Sequence, residues 1–408
     1  MNPVRNFKNN RISKNSCRAK NNSGISNGVN YKVSFVNYKP QYKNLEKEID
    51  KAIKKVLLRG DLILREDVEK FEKNIAKFLG VKYGVGVNSC TDAMILSLKA
   101  AGVGQGDEVI TVSHTFFATI EVIHHCGAKP ILTDIRDDFL IDPDKIEEKI
   151  TKKTKAILLV HLNGRVCEMD KIIKIAKKYN LTIIEDAAQA LGAEFKGKKA
   201  GAFGLIGCFS FYPAKILGAY GDGGAVVTNN KNIAEKIRLL RNHGQKTKTE
   251  IVCYGFNSRL DNLQAAILNV KFKYLPKWIK RRREIATLYN EGLSDISETP
   301  QESLRLPTGQ VKLPPAPNYN SKYFDIYQNY IIRAEKRDKL REFLTKKSIE
   351  TLIKDPIPNH LQKGLGLEKF HLPITEKIAK EIISLPMYPE LKNYQVEYVI
   401  DCIKKFYA

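Results

Sequence analysis

The chain has 408 residues, 43% of them hydrophobic, enough for one large core and a smaller second one. No apolar run reaches the roughly 18 to 20 residues that span a bilayer, and the N-terminus lacks the apolar segment of a secretory signal, so a cytoplasmic globular enzyme with no membrane partner is expected. The formal charge of +23 raises nucleic acid as a partner, but its distribution argues against one: six cations (Arg5, Lys8, Arg11, Lys14, Arg18, Lys20) fall in residues 1–30 without any acid, and most others lie among acids on helical stretches, as on a solvated helix surface.

The seven cysteines are odd in number, spread out and free of any C-x-x-C pair, which fits free thiols in a reducing compartment. The histidines are equally scattered, and adjacent His124 and His125 would point to different sides of a helix, so no metal is expected.

In chain order, residues 1–32 are rich in Asn, Ser, Lys and Gly, cannot bury enough surface to offset chain entropy, and read as a disordered basic tail. Folding signals begin near Val33, followed by helical spacing in Leu45, Ile49, Ile53, Val56 and again in Val68, Phe71, Ile75, Phe78. From Tyr83 apolar strands alternate with helices: strands 83–87, 108–112, 130–133, 156–161, 182–185, 206–212 and 224–228, helices 91–101, 116–125 and 169–179. Such alternation predicts an α/β fold with a mostly parallel sheet covered on both faces, and in such sheets ligands bind where strands end and helices begin.

Helices over 261–274 and through Arg281-Arg282-Arg283 lead to a smaller C-terminal α+β part, with a strand at 330–332 and helices at 337–347 and 396–406. The expected division is a tail over 1–32, a large domain over 33–275 and a small domain over 276–408.

The candidate site residues stand at the strand ends. Lys215 follows the apolar run Cys208–Tyr212, and Asp186 follows Ile183-Ile184-Glu185. An amine that can form a Schiff base and a carboxylate that can hold a pyridinium nitrogen protonated are the two groups a pyridoxal phosphate (PLP) enzyme needs. Asn88-Ser89-Cys90-Thr91-Asp92 lies between a strand and a helix, where N–H groups and the Thr91 hydroxyl can receive a phosphate or Ser89, Thr91 and Asp92 can simply cap the helix. Phe116 is placed to stack on a flat ring or to join the core, and Gln189 and Ser210 are polar groups at similar edges.

Together these runs resemble the DegT/StrS family of fold type I PLP-dependent sugar aminotransferases, from about Val33 to the C-terminus. The matching stretches are Asn88–Ala93, Thr115–Thr119, His161–Gly164, Glu185–Ala190, Phe209–Gly224, Gly255–Arg259 and Ser384–Pro389. The resemblance implies Lys215 as the Schiff-base lysine, Asp186 as partner of the pyridine nitrogen, Gln189 near the phenolic oxygen and Phe116 over the ring. It implies Cys90, Thr91 and Ser210 at the phosphate, and Asn257 at the phosphate of a neighbouring subunit's cofactor, hence a homodimer with shared sites.

His360, in the loop Pro356-Ile357-Pro358-Asn359-His360, is placed near the sugar nucleotide by the same resemblance or is a surface histidine. The resemblance also implies transamination rather than dehydration, since related sugar dehydratases on the same fold carry a histidine at the position of Lys215. The implied reaction moves an amino group from glutamate to a keto group of a nucleotide-linked sugar; a cyclitol ketone as acceptor, or a regulatory protein that kept the fold, stay open.

Overall fold

The computed structural model describes residues 31–297 and 310–408, so the expected tail lies, but for its last two residues, outside the described residues. Helices α1 (Tyr38–Arg59) and α2 (Glu66–Leu79) come first, each closed by a left-handed glycine, Gly60 or Gly80, whose N–H bonds back to the last turn. The alternating part then runs β1 (Tyr83–Val87), α3 (Cys90–Ala100), β2 (Glu108–Val112), α4 (Ala118–His125), β3 (Lys129–Thr133), β4 (Thr154–Val160), α5 (Met169–Lys178) and β5 (Thr182–Asp186). A hairpin of β6 (Glu194–Phe195) and β7 (Lys198–Lys199) precedes β8 (Ile206–Ser210) and β9 (Gly224–Thr228).

Seven of these strands form one sheet in the order β1-β9-β8-β5-β4-β2-β3. Every neighbouring pair is parallel except the two made by β9, which runs antiparallel to β1 and β8. The expected mostly parallel sheet is therefore observed, and its strands are buried along nearly their whole length because both faces are covered. On one face Ile110, Ile157, Leu159 and Phe209 pack with Ile49 of α1, Phe71 of α2 and Ile172 of α5. On the other Val109, Leu158, Ile184 and Val226 pack with Leu96 of α3, Val122 of α4 and Ile237 of the next helix.

After the sheet follow α6 (Lys231–Leu240), α7 (Asn262–Phe272), α8 (Leu275–Gly292), β10 (Val311–Lys312), β11 (Tyr323–Phe324), β12 (Tyr330–Ala334), α9 (Arg337–Lys346), α10 (Pro373–Glu381), β13 (Ile382–Leu385) and α11 (Asn393–Tyr407). Strands β10, β12 and β13 make an antiparallel sheet around a separate cluster that includes Ile285, Tyr289, Ile332, Leu340, Ile383 and Val396. Val33 belongs to that cluster and bridges Ile349, so the start of the fold is stitched to its C-terminal part.

One buried cation sets the loop between the two sheets. Arg282 of α8 donates to the carbonyls of Tyr327, Gln328 and Met387 at 3.0, 3.1 and 3.1 Å, three acceptors that a loop leaves free. This fixes residues 327–328, which reach the strand ends of the large sheet. Among the described residues no helix is long and apolar enough to cross a membrane.

Candidate active site

The C-terminal ends of β1, β5 and β8 and the start of β9 share one edge, because β9 is the strand that runs backward: Val87 pairs with Gly224 and Ser210 pairs with Gly224. That edge carries the expected residues. Gly224 is required there, since a Cβ would strike the Ser89 carbonyl and hold the β1–α3 turn away. Ser89 caps α3 by accepting the Asp92 N–H at 3.1 Å, so the capping reading applies to Ser89 itself. The N–H groups of Cys90 and Thr91, one step further in, have no protein acceptor among the described residues and leave the positive end of α3 open for an anion.

Asp186 is buried at the end of β5. Its Oδ1 accepts the Ala188 N–H at 3.1 Å and its Oδ2 accepts the Thr119 hydroxyl at 2.9 Å, with the Cys90 Sγ 3.9 Å from Oδ1. Burial raises the Asp186 carboxyl above its ordinary range, while those two donors and the Lys215 charge pull it down. Burial likewise lowers the Lys215 amine, opposed by Asp186 and Cys90. The Cys90 thiol is pushed well up, first by burial and then by Asp186, which makes it an inert thiol at the helix start rather than a reactive one.

Thr119, which no strand-end pattern singled out, joins two expected groups. Its hydroxyl meets Thr115 Oγ1 at 2.9 Å as well as Asp186, and its N–H donates to the Phe116 carbonyl at 3.1 Å. The turn that this makes delays α4 to Ala118, two residues later than expected, and leaves the Phe116 ring 67% exposed at the rim of the site. An aromatic this exposed is not core, which answers the alternative left open by the sequence.

Gln189 turns its Oε1 to the Asn163 N–H at 3.0 Å and to the Asn329 Nδ2 at 2.9 Å. Ser210 accepts the Tyr212 N–H at 3.3 Å. Beside Lys215, Gln328 accepts the Ile216 N–H and donates to the Ala214 carbonyl, both at 2.9 Å. One side chain thus grips the backbone on both sides of the lysine. Gln328 gets that close because Gly164, at φ 93°, carries no Cβ, and one would lie 2.8 Å from the Gln328 nitrogen.

Two expected residues stand apart from this cluster. His360 is fully buried, not a surface histidine: its Nδ1 meets Ser113 Oγ at 2.8 Å and its Nε2 meets Glu376 at 3.3 Å. Together with Asn359, whose Nδ2 donates to the carbonyls of Ser113 and Thr115 at 3.0 and 2.7 Å, it braces the turn beneath Phe116. Asn257 is exposed on a segment with Ile251, Val252 and Tyr254, the last fully exposed, and among the described residues no hydrogen bond links it to Lys215 or Asp186 within the chain.

Thr119, Asn163, Gln328 and Asn329 are members of the site that were not among the expected residues. Thr119 and Asn163 had a local clue, lying in the matching stretches Thr115–Thr119 and His161–Gly164.

A buried amine and a buried carboxylate at the strand ends of a mostly parallel sheet, with a helix N-terminus open beside them, define the fold type I class of PLP-dependent enzymes. The chain belongs to the DegT/DnrJ/EryC1/StrS aminotransferase family, whose profile matches residues 43–404. It is 43% identical over 383 residues, 92% of this chain and 98% of the relative, to a pleiotropic regulatory protein of Geobacillus stearothermophilus. It is 41% identical over 377 residues, 92% and 99%, to the dTDP-3-amino-3,6-dideoxy-alpha-D-galactopyranose transaminase of Aneurinibacillus thermoaerophilus. The crystal structure of S. venezuelae DesV in complex with a ketimine intermediate superposes with a TM-score of 0.86 at 37% identity, covering 92% of this chain and 99% of that one. Aminotransferases of this family use PLP, and solved structures of this fold hold it in its pyridoxal and pyridoxamine forms.

The residues present fit that cofactor. Asp186 is a buried carboxylate with only neutral hydrogen-bond donors, a site that a cationic ring N–H would satisfy. The open N–H groups of α3 suit its phosphate.

Proposed function

We propose that this chain is an aminotransferase that moves an amino group from glutamate to a keto group of a nucleotide-linked sugar, with PLP seated at the strand ends. Bound there, the cofactor supplies an aldehyde that takes up amines and a ring that withdraws electrons. The observation that carries the reading is the buried Asp186 at the end of β5 together with the desolvated amine of Lys215, in the turn that follows the neighbouring β8, each charge acting on the other.

Lys215 is the amine that joins the cofactor and, once displaced by the donor, the base that takes and returns a proton. Burial serves that role, because an amine lowered from its ordinary range is free of its proton more of the time near neutral pH. Asp186, whose charge is disfavoured by burial and favoured by the Ala188 N–H, the Thr119 hydroxyl and the lysine charge, is the carboxylate that holds the ring nitrogen protonated. Cys90, Thr91 and Ser210 receive the phosphate, Phe116 covers the ring and Gln189 lies at its phenolic oxygen. His360 acts through the Ser113–Phe116 turn, consistent with its two protein hydrogen bonds.

Asn257 serves a second copy of the chain. Its exposure alongside Ile251, Val252 and Tyr254 supports a homodimer in which that segment crosses to the partner's site. The acceptor follows from the relatives, several of which are named as transaminases of dTDP- or UDP-linked sugars. The intact Lys215 and Asp186 speak for catalysis over a purely regulatory role.

The test is absorbance of the protein loaded with PLP, before and after glutamate. The long-wavelength band of lysine-bound cofactor is expected in the parent protein and should collapse with glutamate; Lys215→Ala should show neither, with turnover down more than about 10⁴-fold. A bound cofactor that glutamate leaves unchanged would rule out this donor, and no lysine-bound band would rule out the reading.

A further inference from the structure

Gln328 and Asn329, consecutive residues at the entry to β12, tie two lysines to one place. Gln328 holds the backbone on both sides of Lys215. Asn329 Oδ1 accepts the Lys354 Nζ at 2.7 Å, and Asn329 Nδ2 donates to Asn163 Oδ1 and Gln189 Oε1, each at 2.9 Å. The ammonium fixes the polarity of this chain of amides, because it can only donate. Asn329 must give Lys354 its oxygen, so its nitrogen faces Asn163, and Asn163 must turn its own oxygen inward.

The consequence is an unspent donor. Asn163 Nδ2 is buried with no partner among the described residues. Lys354 spends one of its three N–H groups on Asn329 and is in no ion pair among the described residues. Two donors, one of them cationic, therefore hang from a single amide beside Lys215 with nothing among the described residues to receive them. A buried donor left so is costly, and a carboxylate is an acceptor that suits both an ammonium and an amide N–H.

We propose that Lys354 and Asn163 form a carboxylate-binding subsite beside Lys215, and that it takes the α-carboxylate of the amino donor. The position favours the donor: its carboxylate is one bond from the carbon whose amine is exchanged at Lys215, closer than any acid group on a sugar ring. Electrostatics agree, since burial, then the charge of Lys215, lowers the Lys354 amine to about 7, with Asp355 opposing and Arg282 adding to the shift. Such a cation gains most from an incoming anion.

The inference rests on the aminotransferase reading, and its test separates the two. With PLP-loaded protein, binding of succinate, which has no amine to react, is measured by calorimetry, and single turnovers are run with glutamate and with n-butylamine. Lys354→Met should weaken succinate binding about 10-fold or more and slow glutamate by a similar factor, while butylamine is unaffected. Asn163→Leu should weaken succinate about 3-fold to 10-fold. Lys354→Arg, which keeps the charge, should retain most of the preference for carboxylate donors and guards against a variant that misfolds.

Equal slowing of glutamate and butylamine, or unchanged succinate affinity, would overturn the subsite. A loss confined to the second half-reaction, with a carboxylate-bearing keto-sugar, would move the carboxylate to the acceptor and overturn the assignment to the donor. Failure of the parent protein to turn over any amine would instead strike the aminotransferase reading.

Discussion

The two sides of the sheet at the end of β5 carry neighbouring carboxylates in opposite circumstances. Glu185, fully buried, accepts the N–H groups of Gly201, Phe203 and Gly204 at 2.7, 2.7 and 2.6 Å and meets His161 Nε2 at 2.8 Å. The Cys167 N–H donates to His161 Nδ1, so the histidine proton sits on Nε2 and points at Glu185. Every acceptor site of Glu185 is used. Asp186, one residue on and facing the other way, has two neutral donors and a lysine across from it. A saturated carboxylate is part of the scaffold, whereas one left short of a cation is ready for a ligand.

Exchanging charge for shape at each position would break this contrast if it is wrong. Asp186→Asn keeps the volume and loses the charge that a ring N–H needs, so kcat/KM for amino transfer should fall about 10²-fold to 10³-fold, as when one group stabilising a developing charge is removed. Its unfolding midpoint should hold, because burial already disfavours the charge. Steady-state kinetics beside urea unfolding checks both halves. Glu185→Gln should do the reverse: it loses a charged acceptor for three backbone N–H groups, lowering unfolding free energy by about 2–4 kcal/mol, with activity per folded molecule kept within a few-fold. If Glu185→Gln instead lost activity with stability intact, the two sides would have been read in the wrong order.

The site side was largely legible in the sequence because its parts are local. Lys215 and Asp186 each follow an apolar strand within a few residues, and the Ser89–Asp92 cap lies between a strand and a helix, so short patterns mark them. The scaffold side was not: Glu185 reads as one more strand residue until residues 201–204 fold back on it. Distance along the chain hid the rest. Gln328, Asn329 and Lys354 lie more than a hundred residues beyond Lys215, outside any motif, and Arg282 of α8 brings the 327–328 loop in. The reversal of β9 was equally silent, since an apolar strand carries no mark of its direction. His360 looked like loop chemistry because prolines precede it, yet the strand-end turn at Ser113 buries it.

The same contrast separates two further lysines whose amines are desolvated. Lys271 of α7 gives its Nζ to the Gly218 carbonyl and lies 4.8 Å from the centre of the Tyr220 ring, a satisfied cation on the scaffold; Lys354 is the unsatisfied one at the site. Burial lowers the Lys271 amine to about 8 and the Lys354 amine to about 7, in the protein without its cofactor. In the unfolded chain both return to about 10.4, so between those values the unfolded state binds more protons and stability rises with pH. Each lysine contributes about 1.4 kcal/mol per pH unit, Lys354 from about pH 7 and Lys271 from about pH 8 up to about pH 10. Urea unfolding of the cofactor-free protein across that range should show the rise, and Lys271→Met should remove about half of the slope above pH 8 and leave the slope below it. Succinate should remove the Lys354 contribution across the range and leave that of Lys271, because a carboxylate on Lys354 restores its proton, while Lys271 Nζ already donates to the Gly218 carbonyl. A slope that succinate leaves untouched would mean that both lysines belong to the scaffold.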